Sequence, residues 1–210
     1  MPRLRFSLKT LFLSLLFACL VGSNVFTSYR LKQLHEENVA QRKETGRLVV
    51  KDPTKLNVVA VPTFEDLTWR WRVHVPPGAG ERIRLATQQI PGQGHDTGSS
   101  LSTTLEAGDY LLTATVRRNH HGQWALIVGH SGGSNMTNIN ERSAGWLEPQ
   151  SGASGWSTSQ AGQNDATVRE PGSKLDLLRL RVMVQSPDGT SASNTDKPAD
   201  GLLIWVEDQK

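Results

Sequence analysis

Residues 67 to 75 read LTWRWRVHV. Leu67, Trp69, Trp71, Val73 and Val75 fall on one side of an extended chain, and Thr68, Arg70, Arg72 and His74 on the other. Successive strand side chains point to opposite faces, so strict alternation marks a strand with one dry face and one wet face. The same period recurs on both sides of this stretch. Leu56 to Val61 precede it, and Pro76-Pro77-Gly78 turns the chain after it. Ile83 and Leu85 then alternate with Arg82 and Arg84, and Leu101, Thr103 and Leu105 suggest a further strand. After a turn at Ala107-Gly108-Asp109, Tyr110, Leu112, Ala114 and Val116 share a face. Asn119-His120-His121-Gly122 reads as a hairpin connection to Trp124–Val128. Leu178, Leu180, Val182 and Val184 alternate with Arg179 and Arg181, and Gly201 to Val206 form the last apolar run. About eight strands divided by Gly/Pro turns, with no helical period beyond residue 55, predict a mainly β chain. The expected domain, residues 55–210, is an antiparallel β-sandwich, jelly-roll or immunoglobulin-like, with a strand order the pattern does not fix.

Two stretches break the regularity. Residues 131–174 are rich in Gly, Ser, Asn and Gln and read as a long polar loop. Trp146 and Trp156 within it are candidates either to pin the loop to the core or to form a stacking platform for sugar rings. Ser186 to Asp200 reads as an exposed excursion between the last two strands.

The opposite end of the chain has another character. Leu11 to Tyr29, LFLSLLFACLVGSNVFTSY, is uncharged, and Arg3, Arg5 and Lys9 precede it without an acid. Nineteen residues of helix span roughly 30 Å, the thickness of a bilayer's hydrocarbon core. The expectation is a cytoplasmic tail at 1–10 and a transmembrane signal-anchor at 11–29. Phe26, Tyr29, Arg30 and Lys32 would lie at the outer interface, with the remainder extracytoplasmic. Two alternatives compete with it. Cleavage after Val21-Gly22-Ser23, before Asn24, would release a secreted or periplasmic protein. Leu16-Phe17-Ala18-Cys19 partly resembles a lipobox. Residues 30–50 read as a helical stalk ended by Lys51-Asp52-Pro53. Within it Leu31, Leu34, Asn38, Gln41, Thr45 and Leu48 can be set on a and d positions of a short coiled coil, pairing two copies through residues 30–48.

Composition supports the division. The net charge of +3 separates into +6 through Lys55 and −3 beyond it, so the basic balance belongs to the N-terminal end and does not signal nucleic-acid binding. Cys19 is the single cysteine and lies in the apolar run, so the β domain has neither disulfide nor thiolate metal ligand.

Few residues point to chemistry. Asp96-Thr97-Gly98-Ser99-Ser100 resembles the signature of pepsin- and retropepsin-like aspartic proteases, which implies Asp96 as a catalytic carboxylate. The pattern departs from that family in two places: Gln93-Gly94-His95 stand where an apolar strand belongs, and no second such motif follows. His35, His74, His95, His120, His121 and His130 show no spacing that converges on a metal. No phosphate-cradling or dinucleotide loop appears, so no cofactor is expected. The repeated Arg-x-Arg of Arg70/Arg72, Arg82/Arg84 and Arg179/Arg181 would, on neighbouring strands, form a basic sheet face for an anionic polysaccharide or an acidic envelope protein. The plan of anchor, short helix and β domain is similar to that of several bacterial envelope proteins in division and cell-shape scaffolds. The expected protein is thus a non-catalytic binding module on a single-pass anchor, with Arg70, Arg72, Arg82, Arg84, Arg179, Arg181, Trp146 and Trp156 as its candidate ligand-binding residues.

Overall fold

A computed structural model describes residues 8–95, 101–141, 144–148, 155–163, 165–185, 191–192 and 197–209. The chain divides into two compact units, residues 1–42 and 43–210. Helix α1, Leu8–Thr45, runs unbroken for 38 residues through the apolar run and most of the expected stalk. Polar side chains inside the apolar run bond one turn back. Asn24 Nδ2 donates to the Leu20 carbonyl at 3.1 Å, and Thr27 Oγ1 to that of Ser23 at 2.8 Å. Among the described residues no helix is long and apolar enough to cross a membrane; the side chains of residues 1–11, 14 and 18 fall outside that description.

The helix stops earlier than Lys51-Asp52-Pro53 would place it. Gly46 takes a left-handed φ of +58°, the conformation that ends helices and that glycine adopts without a Cβ clash. It also lies so close to the sheet that a Cβ there would stand 2.7 Å from Val61 Cα.

Beyond the helix the protein is mainly β, with two antiparallel sheets facing one core. The first sheet has the order β7-β6-β5-β2-β1-β9. Its strands are β1 (Leu56–Val61), β2 (Thr68–Val75), β5 (Gly108–Arg118), β6 (Trp124–His130), β7 (Gly133–Asn138) and β9 (Thr167–Arg169). The second has the order β11-β10-β12-β3-β4, with β8 on the other edge of β10. Its strands are β3 (Glu81–Ala86), β4 (Leu101–Leu105), β8 (Gly155–Gln160), β10 (Leu175–Gln185), β11 (Ser191–Ala192) and β12 (Gly201–Asp208). The expected alternation holds over the second half of β2, where Trp71, Val73 and Val75 are buried while Arg72 is exposed; Thr68, on the side expected to be wet, is buried. Leu56, Val58, Leu112, Ala114, Leu126 and Val128 of the first sheet meet Ile83, Leu85, Leu178, Leu180, Ile204 and Val206 of the second in one apolar cluster.

Residues 131–174 are a correction to the sequence reading. Instead of one long loop they carry β7, a single 3-10 turn at Gly145–Leu147, β8 and β9. Polar strands of this kind escape a hydrophobic-period search because their outward positions are Ser, Thr and Asn and their inward ones are few. Trp146 is buried in the core cluster. Glu148, at the end of the 3-10 turn, accepts from Trp124 Nε1 and Arg118 Nη2, each at 2.7 Å, and so fastens this segment to the β5–β6 hairpin.

Strand β12 departs from the half-buried rule, for residues 201–206 are buried on both faces. Leu202, Ile204 and Val206 face the main core. Leu203 and Trp205 face outward, yet they are covered by Ile90, which packs with Ala86 in a second small apolar cluster. The roof is residues 87–95, joined to the chain before β12 by reciprocal backbone hydrogen bonds between Ile90 and Ala199. The end of the expected excursion 186–200 is therefore a pairing partner of this roof. Buried outer faces make a strand read as a continuous apolar run, which is how GLLIWV appears in the sequence.

Candidate functional site

The six arginines do not form a single face. Arg70 and Arg72 stand on β2 of the first sheet; Arg82 and Arg84 on β3, and Arg179 and Arg181 on β10, belong to the second. In a sandwich the wet faces of the two sheets point apart, so the expected common basic surface is corrected to two separate sets. Alternation fixes the parity of a residue within its strand but not the sheet to which that strand belongs.

Most of these guanidiniums are spent on structure. Arg179 Nε donates to Asp176 at 2.8 Å, Nη1 to the Pro91 carbonyl at 2.6 Å and Nη2 to the Gly94 carbonyl at 2.7 Å. Arg181, 4% exposed, donates to the carbonyls of Ile90 and Lys197. The two residues thus hold the roof from beneath, supplying donors to loop carbonyls that burial would otherwise leave unpaired. Arg84 pairs with Glu207 at 2.8 Å and Arg70 with Glu65 at 3.3 Å. Burial pushes the Glu207 carboxyl upward, but hydrogen bonds from Arg84, Trp205 and Lys174 outweigh it and leave the group below its ordinary value.

The two loop tryptophans are brought together. Trp146 and Trp156 meet edge to face with ring centroids 5.9 Å apart. Trp146 lies in the core, and Trp156, 48% exposed, is the one that reaches solvent. The arrangement pins the segment and leaves one indole, rather than a two-ring platform, open to a ligand.

An open groove of about 510 Å³ runs beside the roof. Its walls are the roof residues Gly92–His95, Ser159 and Gln160 of β8, Thr167 of β9, and Lys174 to Asp176 with Arg179 around the start of β10. A β-bulge between Asp176 and Leu178 shifts the register there. It lets Leu177 and Leu178 both sink into the core while Asp176 stays at the groove. Asp176 Oδ1 is 2.5 Å from His95 Nε2, and the His95 ring lies 5.5 Å from that of Trp205. Lys174 Nζ reaches over the Trp205 ring, 6.0 Å from its centroid, and pairs with Glu207 at 3.4 Å. The groove therefore offers amide, hydroxyl, imidazole and ammonium groups on a rigid frame. Sequence reasoning did not single out His95 or Asp176, because 81 residues separate them and neither lies in a recognisable spacing.

Asp96-Thr97-Gly98-Ser99-Ser100 lies outside the described residues. His120 and His121 occupy the expected hairpin turn, where Asn119 Oδ1 accepts from the backbone N–H of His121 and Gln123. His74, on the wet face of β2, is bonded to Asp109 at 2.7 Å. Among the described residues no three His, Cys, Asp or Glu side chains converge as a metal site.

A buried ion cluster ties the sheets together elsewhere. Glu81 of β3 and Asp208 of β12 are register partners in the second sheet. Both accept from Arg169 Nη2 of β9 in the first, Glu81 at 2.5 Å. Arg169 Nη1 adds a bond to the Ser173 carbonyl at 2.6 Å, and Gly172 N donates to Asp208 Oδ2, also at 2.6 Å. Glu81 Oε2 and Arg169 Nε are buried without a hydrogen-bond partner among the described residues. Burial pushes the Glu81 carboxyl up to about 7; the Asp208 charge adds to this and Arg169 opposes it. In comparisons with protein-family models, curated proteins and solved structures, no match to this chain was found.

Proposed function

We propose that the protein is a non-catalytic binding module of the cell envelope, held on a single-pass anchor at residues 11–29 with its β domain on the outer side. The observation that carries the binding reading is the groove beside the roof. It is shallow and open to solvent, the shape suited to a chain-like ligand rather than to an enclosed reacting centre. Gln93, Ser159, Gln160, Thr167 and Lys174 line it with donors and acceptors, which favours an envelope polysaccharide. Support for the anchor comes from the charge-free run at 11–29, the basic residues before it, and the bonding of Asn24 and Thr27 to carbonyls one turn back. In a bilayer, where water is absent, polar side chains need such internal partners. A protein partner is the second reading, favoured by Phe64, fully exposed at the tip of the β1–β2 loop, and by Trp156.

Two measurements test the proposal. Full-length protein recovered from carbonate-washed membranes is expected to have its uncleaved mass; a soluble product beginning at Asn24 overturns the anchor. The detergent-solubilised protein is expected to be retained on immobilised envelope polysaccharide, with retention falling about tenfold in the variant Gln160→Ala/Lys174→Ala. No retention of the parent protein, or equal retention of the variant, removes the groove as the binding site.

A further inference from the structure

A second concavity, which shares no residue with the groove, lies where the strap leaving the helix crosses the first sheet. We propose that it binds a small anionic ring compound: a sugar unit bearing a phosphate or a carboxylate. The cavity holds about 350 Å³, at the small end of ligand pockets and close to one substituted monosaccharide. Arg47, Leu48 and Val50 of the strap form one wall; Arg72 of β2 with Asp109 and Leu111 of β5 form the other.

The strap is fixed at both ends. Gly46 is pressed against Val61. Lys51 N donates to Asn57 Oδ1 at 3.0 Å, and Lys51 Nζ to Asp165 and to the Ala166 carbonyl at 2.7 and 3.2 Å. Leu111 stands directly opposite Arg72 in the β2–β5 register, so the apolar and cationic parts of the far wall are adjacent on one sheet face.

The charge balance identifies the ligand class. Arg70, Arg84, Arg118, Arg169 and Arg179 each have a carboxylate partner. Arg47 and Arg72 have no hydrogen-bond or ion-pair partner among the described residues. The acid that lines the cavity, Asp109, is bonded to His74 at 2.7 Å. Two uncommitted guanidiniums thus line a space whose remaining surface is the Asp109 carboxylate and the aliphatic side chains of Leu48, Val50 and Leu111, with Leu111 45% and Val50 36% exposed. A bare inorganic anion would leave that apolar surface wet, and a neutral sugar would leave both forks unfilled. A ring carrying an oxyanion satisfies both: oxygen pairs on the guanidiniums, and ring carbons against Leu48, Val50 and Leu111.

The test uses the full chain in detergent micelles, titrated calorimetrically with glucose 6-phosphate, with glucuronate and with glucose. Binding of one or both anionic sugars, and none of glucose, is expected; which of the two binds more tightly tells phosphate from carboxylate. Arg47→Gln and Arg72→Gln should each weaken that binding about tenfold or more. Both side chains are exposed, so their melting midpoints should match the parent's. Leu111→Glu, also at an exposed position, places a carboxylate in the cavity and should abolish binding. The groove variant Gln160→Ala/Lys174→Ala should leave it unchanged, which separates this site from the groove. The proposal is overturned if neither anionic sugar binds, if glucose binds equally, or if the arginine and Leu111 variants bind as the parent does.

Discussion

Glu81 and Arg169, with side chains 2% and 3% exposed, make the most demanding contact in the sandwich. Taking both charges out of water is costly, and the unpartnered Glu81 Oε2 and Arg169 Nε show that the cluster does not repay all of it. A proton on Glu81 relieves part of that cost, which is why its carboxyl is held up near pH 7 against an ordinary value of 4.5. The stabilisation from the protonated form is complete below about pH 4.5, where folded and unfolded chains both hold the proton. It is lost as pH rises through 7, because the folded state then ionises at a cost the unfolded chain escapes. Considering this group alone, the melting temperature should fall between pH 5 and pH 8. Glu81→Gln should flatten that slope in thermal melts monitored by circular dichroism; an unchanged slope would show that other groups set it. None of this was legible in the sequence. Glu81, Arg169 and Asp208 are scattered over three strands, and only the register of β3 against β12, with β9 crossing from the other sheet, makes them neighbours.

At the scale of elements, the strongly alternating strands were read correctly. Residues 68–75 of LTWRWRVHV are β2, and the runs read from Leu56, Tyr110, Trp124, Leu178 and Gly201 lie in strands as well. In β5 the buried residues recur with period two, so packing and pattern agree; β1 and β12 instead bury consecutive residues and were legible as short apolar runs. Strands β7, β8 and β9 lie within the stretch read as loop, because Ser, Thr, Asn and Gly bury little apolar area and leave no period to detect. The roof over β12 was hidden for another reason: a covering loop has no period of its own. Its trace was in what it covers, the unbroken apolar run 202–206 and the two arginines beneath it. Arg179 holds this element through the carbonyls of Pro91 and Gly94. Arg179→Ala should therefore loosen the roof without unfolding the sandwich. Amide hydrogen exchange in residues 88–95 is expected to speed up at least tenfold while β2 and β5 keep their protection. Equal protection throughout would mean that the Ile90–Ala199 pairing alone secures the roof.

For the whole molecule, chain order and spatial order disagree in a way that decides how the domain holds together. The chain changes sheet between β2 and β3, β4 and β5, β7 and β8, β8 and β9, and β9 and β10. The last strand in chain order, β12, is central in its sheet, between β10 and β3. Removing residues 201–210 would delete Leu202, Ile204 and Val206 from the core, Asp208 from the ion cluster, and the ladder on both sides. Such a truncated protein should show no cooperative thermal transition, and a sharp melt would refute the central role of this strand. The placement of β12 also sets a clock. Strand β3 ends at Ala86 and β12 begins at Gly201, so β3 must wait for its neighbour while the intervening chain is made. At the usual rates of synthesis that delay is roughly ten seconds. Through that interval β3 presents an unpaired edge, one that a chaperone, or the β12 of an adjacent copy, has time to fill first.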